Sequence, residues 1–151
     1  MLPSTRLLMN KSGPIIIIED DEDDQLLFEL VLKKLGYPNQ VIYFSDGEAA
    51  LAYLNQMKNV PFLILSDINM PKLDGFALRD KIHTDSQLSI KCILYLFFST
   101  VLDQRIVIDA YSLAVQGFFV KQTSLKELEE TLSIIIQYWK RCAAPNNFRF
   151  E

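Results

Sequence analysis

Short apolar runs and longer amphipathic stretches alternate along this chain. Apolar runs rich in β-branched and aromatic residues predict five buried β-strands, at 15–18, 41–44, 62–66, 92–98 and 118–120. After each run, apolar residues recur at helical spacing and predict five helices, at 24–35, 49–57, 76–84, 102–113 and 125–139. Strict alternation of strands and helices favours right-handed βαβ units, and therefore one parallel sheet with helices on both faces.

Glycine and capping residues support the predicted ends of the helices. Gly36 is predicted to end the first helix. Ser45 and Ser124 are each followed three residues later by a glutamate, which is the capping-box pattern of a helix start. No internal repeat or linker interrupts the alternation. We therefore divide the chain into a flexible lead-in, one folded domain and a C-terminal tail, at 1–13, 14–140 and 141–151.

Composition restricts the class of protein. The chain has 151 residues, half of them hydrophobic, which suits one domain with a sizeable core. Its net charge of −4 argues against general nucleic-acid binding. No run approaches a membrane span, and no signal-peptide core is present. Cys92 and Cys142 lack metal or disulfide spacing, and Cys92 is predicted to be a reduced core residue. We therefore expect a cytoplasmic protein without a nucleic-acid or membrane partner.

Polar side chains follow four of the predicted strands. Six consecutive acids, residues 19–24, follow the first strand, and Asp67 ends the third. Ser99 and Thr100 follow the fourth strand, and Lys121 follows the fifth. Because parallel strands have their carboxyl ends at the same edge of a sheet, these groups are expected to converge there, where open α/β sheets bind ligands.

The converging groups suit phosphoryl transfer. Clustered carboxylates repel one another unless a cation intervenes, and oxygen ligands favour Mg²⁺ or Mn²⁺ over zinc. Asp67 could attack phosphorus and form an acyl phosphate, while Lys121 and Ser99 contact the phosphoryl oxygens. Taken alone, the stretch after Asp67 could instead be a simple Asp/Pro/Gly turn.

Several nearby residues have plainer interpretations. Residues 21–24 are predicted to be solvated acids at a helix start rather than ligands, because acids are favourable at the positive end of the helix dipole. Asp74 and Gly75 are expected to form a turn and begin a helix. His83 is expected on the surface. Phe118 could be a core residue.

Four motifs, in order, resemble the response-regulator receiver domain of two-component signalling: Ile-Ile-Glu-Asp-Asp at 17–21, Asp-x-Asn-Met-Pro-x-x-Asp-Gly at 67–75, the hydroxyl at Ser99, and Gly-Phe-Phe-Val-Lys at 117–121. The resemblance covers about residues 14–140. It implies a flavodoxin-like, doubly wound (βα)5 fold with a parallel five-stranded sheet in the order 2-1-3-4-5.

The resemblance also implies roles for single residues. Asp67 corresponds to the phosphoacceptor, and Glu19 and Asp20 to the acidic pair that binds Mg²⁺. Asn69 would offer its backbone carbonyl to the metal, and Lys121 corresponds to the site lysine of the family. Two further positions, Ser99 and Phe118, correspond to the hydroxyl and the aromatic residue of the switch. The implied phosphoryl donor is a phosphohistidine on a sensor histidine kinase or histidine phosphotransfer protein, or a small acyl phosphate.

The chain departs from the family pattern in its loops. Gln122 replaces the usual proline after the lysine, and we expect a trans Lys121–Gln122 bond because a non-proline cis bond costs about 3 kcal/mol. Ala114-Val115 replaces Gly-Ala, and a positive φ there would be costly for alanine. Thr100 is larger than the usual residue after Ser99. Val101 cannot orient a water molecule, so slow self-dephosphorylation is expected.

Three functions compete on this basis. The first is a single-domain phosphorylation switch that signals to a partner protein through the predicted fourth helix, fifth strand and fifth helix, with Tyr111 and Phe119 on or near that surface. The second is a receiver-like scaffold that is no longer phosphorylated. The third, a Mg²⁺-dependent phosphohydrolase, is disfavoured because Asn69 stands where such enzymes carry a second acid. Homodimerisation is left open.

Overall fold

A computed structural model describes residues 10–101 and 103–143. Its five strands are β1 (Ile15–Ile18), β2 (Val41–Phe44), β3 (Leu63–Ser66), β4 (Leu94–Ser99) and β5 (Gly117–Val120). Its helices are α1 (Glu22–Leu35), α2 (Gly47–Gln56), α3 (Gly75–Thr84), α4 (Ser86–Ser89), α5 (Gln104–Ser112) and α6 (Leu125–Arg141). The strands form one parallel sheet in the order β2-β1-β3-β4-β5, which confirms the predicted flavodoxin-like topology.

Successive residues of each central strand face opposite sides of the sheet, and this alternation builds two cores. Ile15 and Ile17 pack with α1 and α6 on one face, while Ile16 and Ile18 pack with α2, α3 and α5 on the other. Both faces are buried, so the strands are apolar throughout, as expected of a parallel sheet covered by helices.

The helices begin at oxygen-bearing side chains. Each N-cap side chain accepts a hydrogen bond from a backbone N–H of the first turn; the caps are Asp21, Asp46, Asp74, Asp85, Asp103 and Ser124. The capping role predicted for Ser124 is therefore confirmed. The one predicted for Ser45 is wrong, because Asp46 Oδ1 accepts the bond from Ala49 N at 2.8 Å. Asp74 caps α3, which confirms the prediction that it begins a helix.

The sequence pattern does not predict the short helix α4. Its presence also explains why the core position predicted for Cys92 is wrong. The described residues contain six helices rather than five, because Asp85 caps an extra turn before β4. The chain leaves this turn through Cys92, whose φ is +53°, and β4 begins only at Leu94. Cys92 is therefore exposed and free rather than part of the core.

Two backbone predictions are confirmed. No cis peptide bond occurs among the described residues, so the Lys121–Gln122 bond is trans. Ala114 has a φ of +59° in the turn before β5 and therefore carries the cost that glycine would avoid.

No helix within the described ranges is both long enough and apolar enough to cross a bilayer. The lead-in predicted at 1–13 and the tail predicted at 141–151 lie largely outside the described residues.

Candidate functional site: an acidic pocket with one lysine

The first side of the site is the turn between β1 and α1. Glu19 N donates a hydrogen bond to Phe44 O at 2.9 Å, which continues the pairing of β1 with β2. Glu19 is only 2% exposed, and its carboxylate accepts a hydrogen bond from Asp21 N at 3.2 Å. The side-chain amide of Gln25 donates to the backbone carbonyl of Glu19. These contacts hold the glutamate at the carboxyl end of its strand.

Asp67 occupies the equivalent place after β3. Its N–H donates to Ile18 O at 3.0 Å, and its Oδ1 accepts from Ile68 N at 2.7 Å. The loop after Asp67 folds back so closely that a Cβ on Gly75 would collide with the Asp67 carbonyl oxygen. Glycine is therefore required where α3 begins, and this close approach orients the aspartate.

Three carboxylates meet at this edge of the sheet. Glu19, Asp20 and Asp67 each offer an oxygen atom, and these atoms all lie within 4.8 Å of one another. This all-oxygen donor set suits a hard divalent cation such as Mg²⁺ or Mn²⁺. Asn69 is exposed two residues beyond Asp67. Its service as a backbone ligand stays a prediction.

Lys121 enters the same pocket from the end of β5. Its N–H donates to Ser99 O at 2.9 Å, which extends the pairing of β5 with β4. Its Nζ lies 2.6 Å from Glu19 Oε1, 2.9 Å from Asp24 Oδ2 and 3.1 Å from Asp67 Oδ2. Because the lysine side chain is only 13% exposed, these three carboxylates are its main electrostatic environment.

The charges in the pocket perturb each other. Burial, together with the nearby charge of Asp67, raises the pKa of Glu19 to about 7, although the hydrogen bond from Lys121 opposes that rise. Burial alone would lower the pKa of Lys121, but its hydrogen bonds to Glu19 and Asp24 and the attraction of Asp67 outweigh burial and raise it. The lysine is therefore firmly cationic. Its single positive charge is smaller than the combined negative charge of the carboxylates that it contacts.

Sequence reasoning missed Asp24. The sequence pattern places it with the solvated acids of the helix start. That interpretation fits its neighbours, because Asp21 caps α1 and Glu22 and Asp23 are exposed in the first turn. Asp24, however, faces Lys121. Successive residues of a helix point about 100° apart, so one acid of the first turn was bound to face the sheet edge. Only the direction of the helix reveals which one.

The two predicted switch residues, Ser99 and Phe118, lie on β4 and β5. Ser99 is buried at the end of β4, and its Oγ accepts a hydrogen bond from Val101 N at 3.1 Å. Phe118 is half-buried in β5, with its ring centroid 6.3 Å from that of Phe97. It packs against the core that includes α5. His83 is exposed on α3, as predicted.

Comparison with known proteins agrees with this architecture. The family model of the response regulator receiver domain matches residues 15–133. Response regulator Rcp1 of Synechocystis sp. is 32% identical over 140 residues, which cover 87% of this chain and 94% of Rcp1.

Solved structures agree as well. The phosphorylated cyanobacterial phytochrome response regulator RcpA is 28% identical with a TM-score of 0.78, covering 89% of this chain and 98% of RcpA. The Mn²⁺-bound form of Rcp1 is 30% identical with a TM-score of 0.75, covering 87% of this chain and 96% of that structure. With the family model spanning well over half of its length, the chain belongs to the response regulator receiver domain family of two-component signalling.

Proposed function

We propose that this protein is a phosphorylation switch in which Asp67 accepts a phosphoryl group from a phosphohistidine, on a sensor histidine kinase or a histidine phosphotransfer protein. The observation that carries the proposal is the geometry around Asp67. Its carboxylate is 12% exposed, it belongs to a three-carboxylate oxygen set, and its Oδ2 lies 3.1 Å from a buried ammonium. A nucleophile, a cation site and a fixed positive charge are the parts that phosphoryl transfer needs.

The reaction balances without a further reactant. A carboxylate oxygen of Asp67 attacks phosphorus, the P–N bond to the donor imidazole breaks, and its electron pair remains on the imidazole nitrogen. Glu19, Asp20 and Asp67, with the backbone carbonyl of Asn69, would hold the cation. When bound, Mg²⁺ would neutralise charge on the phosphoryl oxygens, and Mn²⁺ could serve in its place. Lys121 would donate hydrogen bonds to the same oxygens. In this proposal, the protein would catalyse only its own modification.

The proposed output is a change on the surface formed by α5, β5 and α6. Ser99 would donate its hydroxyl hydrogen to the phosphoryl group, and Phe118 would change position between the core and that surface. Several apolar side chains are exposed there or near it, including Ile108, Tyr111 and Val120. Phe119 is half-buried, stacked 5.3 Å from Phe98. A downstream protein partner would bind this surface. The same proposal includes homodimerisation through it.

In this proposal, Val101 governs the persistence of the phosphorylated state, and Thr100 bears on phosphoryl access and on the travel of the switch. Thr100 is exposed beside Ser99, and Val101 presents no polar side-chain atom to a water molecule. We therefore expect slow self-dephosphorylation. Decay of the acyl phosphate can be followed by mass spectrometry after excess donor is removed, and a half-life of seconds would contradict the expectation.

The cytoplasmic location expected from the cysteines belongs to the same proposal.

The experiment is intact mass measurement after incubation with acetyl phosphate, with and without Mg²⁺. We expect a Mg²⁺-dependent gain of one phosphoryl group, about 80 Da, that is absent in Asp67→Asn. Asp23→Asn removes the same charge from an exposed position and should still gain the mass. No gain, combined with no measurable Mg²⁺ binding, would favour the alternative function, a scaffold that binds its partner without phosphorylation.

A further inference from the structure

The three carboxylates that contact Lys121 differ in one respect. Two of them, Glu19 and Asp67, also belong to the oxygen set that suits a divalent cation. The third, Asp24, does not belong to that set, yet its Oδ2 lies 2.9 Å from Lys121 Nζ. Lys121 therefore shares two partners with the cation and keeps one partner of its own.

The shared partners create a conflict. The ammonium lies 2.6 Å from Glu19 Oε1, so it occupies a direction from which a cation would approach that oxygen. A lysine held only by Glu19 and Asp67 would compete with the cation for the same negative charge. Both positive groups can occupy the pocket only if the lysine has another carboxylate to which it can retreat.

Asp24 is suited to that task. Its backbone N–H is held at 3.0 Å from the Oδ1 of the N-cap Asp21, so its place in the first turn of α1 is fixed. Its side chain is 33% exposed, against 2% for Glu19 and 12% for Asp67. Of the three carboxylates, Asp24 is therefore the one with most access to solvent and the fewest contacts inside the pocket.

We propose that Asp24 is a positioning residue that holds Lys121 beside Asp67 while a divalent cation takes over Glu19. The proposal rests on the cation site of the proposed function. Asp24 acts through Lys121 and touches neither the cation nor the phosphoryl group. The ammonium thereby stays within reach of the phosphoryl oxygens without excluding the metal from the pocket.

The test measures the affinity of the full chain for Mn²⁺ alone by titration calorimetry. Asp24→Asn is compared with Asp23→Asn, which removes the same charge from the neighbouring exposed position. Both substitutions are made in the wild-type chain and in Lys121→Met, and circular dichroism verifies the fold of each variant. Contacting residues commonly show coupling of this kind in double-mutant cycles.

In the wild-type chain, we expect Asp24→Asn to weaken Mn²⁺ binding about fivefold more than Asp23→Asn. In the Lys121→Met chain that difference should vanish, because no lysine is left to compete. Asp24→Glu, which keeps the carboxylate, should recover most of the affinity. A structural role of Asp24 that does not involve Lys121 would leave the difference between Asp24→Asn and Asp23→Asn unchanged in the Lys121→Met chain.

Two results would overturn the inference alone. Equal effects of Asp24→Asn and Asp23→Asn in the wild-type chain would show that the contact with Lys121 has no role in cation binding. A fivefold difference that persists in Lys121→Met would mean that Asp24 affects cation binding independently of Lys121. If either result is found while the wild-type chain still gains the phosphoryl mass, the proposed function stands. A wild-type chain that binds no Mn²⁺ overturns the inference, and it overturns the proposed function as well if the chain also gains no phosphoryl mass.

Discussion

Two cationic side chains with little exposure to solvent lie at opposite ends of the sheet, and each is compensated in a different way. Lys121, at the carboxyl end of β5, has three carboxylates within 3.1 Å. Arg79 of α3 is 6% exposed and forms no ion pair with any described residue. Its Nε and Nη2 donate to Leu113 O at 2.9 Å and Ala114 O at 2.8 Å, and its Cζ lies 5.6 Å from the centre of the Tyr95 ring.

The two environments have opposite effects on the pKa of each cation. The carboxylates around Lys121 overcome the effect of burial and raise its pKa, whereas burial lowers the pKa of Arg79. Carboxylates are exchangeable partners. A metal ion can replace the ammonium beside a carboxylate, and a phosphoryl group can replace a carboxylate beside the ammonium. Backbone carbonyls at the end of α5 and an aromatic face are permanent partners. Under the proposed function, the cation at one end of the sheet would exchange partners, and the cation at the other end would keep the partners it has.

The largest expected effect is that of Lys121→Met on stability without metal. Removing the ammonium leaves Glu19, Asp24 and Asp67 without a counter-ion, and we expect a loss of about 3 kcal/mol in the free energy of unfolding at pH 8. Urea denaturation with a chelator measures it. Mg²⁺ should restore most of the loss, and so should a lower pH, because the pKa of Glu19 would rise further and the carboxyl would accept a proton. A loss unaffected by Mg²⁺ would contradict exchangeable pairing.

Arg79→Leu comes next and tests fixation at the other end. The side chain would lose two hydrogen bonds and leave the carbonyls of Leu113 and Ala114 poorly satisfied, at a cost of about 1.5 kcal/mol. Replacing the exposed Lys81 of the same helix by leucine should change stability by less than about 0.5 kcal/mol. Neither Mg²⁺ nor a change from pH 8 to pH 6 should alter the Arg79→Leu loss. If either did, the two ends would not be independent.

The smallest effect is expected from Ala114→Gly in the turn that Arg79 holds. Alanine at φ +59° costs about 1 kcal/mol in the folded state, and glycine loses part of this gain through its greater freedom in the unfolded chain. We expect a net gain of about 0.5 kcal/mol in urea denaturation. Ala52→Gly, at an exposed position inside α2, should instead cost about 1 kcal/mol. A loss at both positions would mean that Ala114 is not strained by its conformation.

The sequence was informative wherever one residue determines one local structure. Apolar runs predicted the strands because both sheet faces are buried, and the polar residues after four of these runs predicted the sheet edge. Glu19, Asp67 and Lys121 come together because parallel strands end on one side. The prediction for Ala114 needed only the rule that alanine is costly at positive φ.

The predictions that failed depended on direction or on competition between neighbours. Ser45 and Asp46 could both cap α2, and the chain path selected the aspartate. Cys92 extends an apolar run in the sequence, yet the extra turn of α4 displaces it to the surface. Asp24 differs from Asp23 only by one step of rotation around α1. Such differences arise from the packing of whole elements, which a local pattern does not contain.

The edge position of β5 has a consequence for how the pocket opens. In the described sheet, β5 is paired with β4 alone, and it carries Phe118 within its four residues and Lys121 immediately after them. Edge elements open at lower free energy than central ones, and they do so as cooperative units. One local opening of β5 would release the aromatic ring and the ammonium together. Their backbone amides should therefore exchange with solvent deuterium at a common rate, faster than those of β1 and β3.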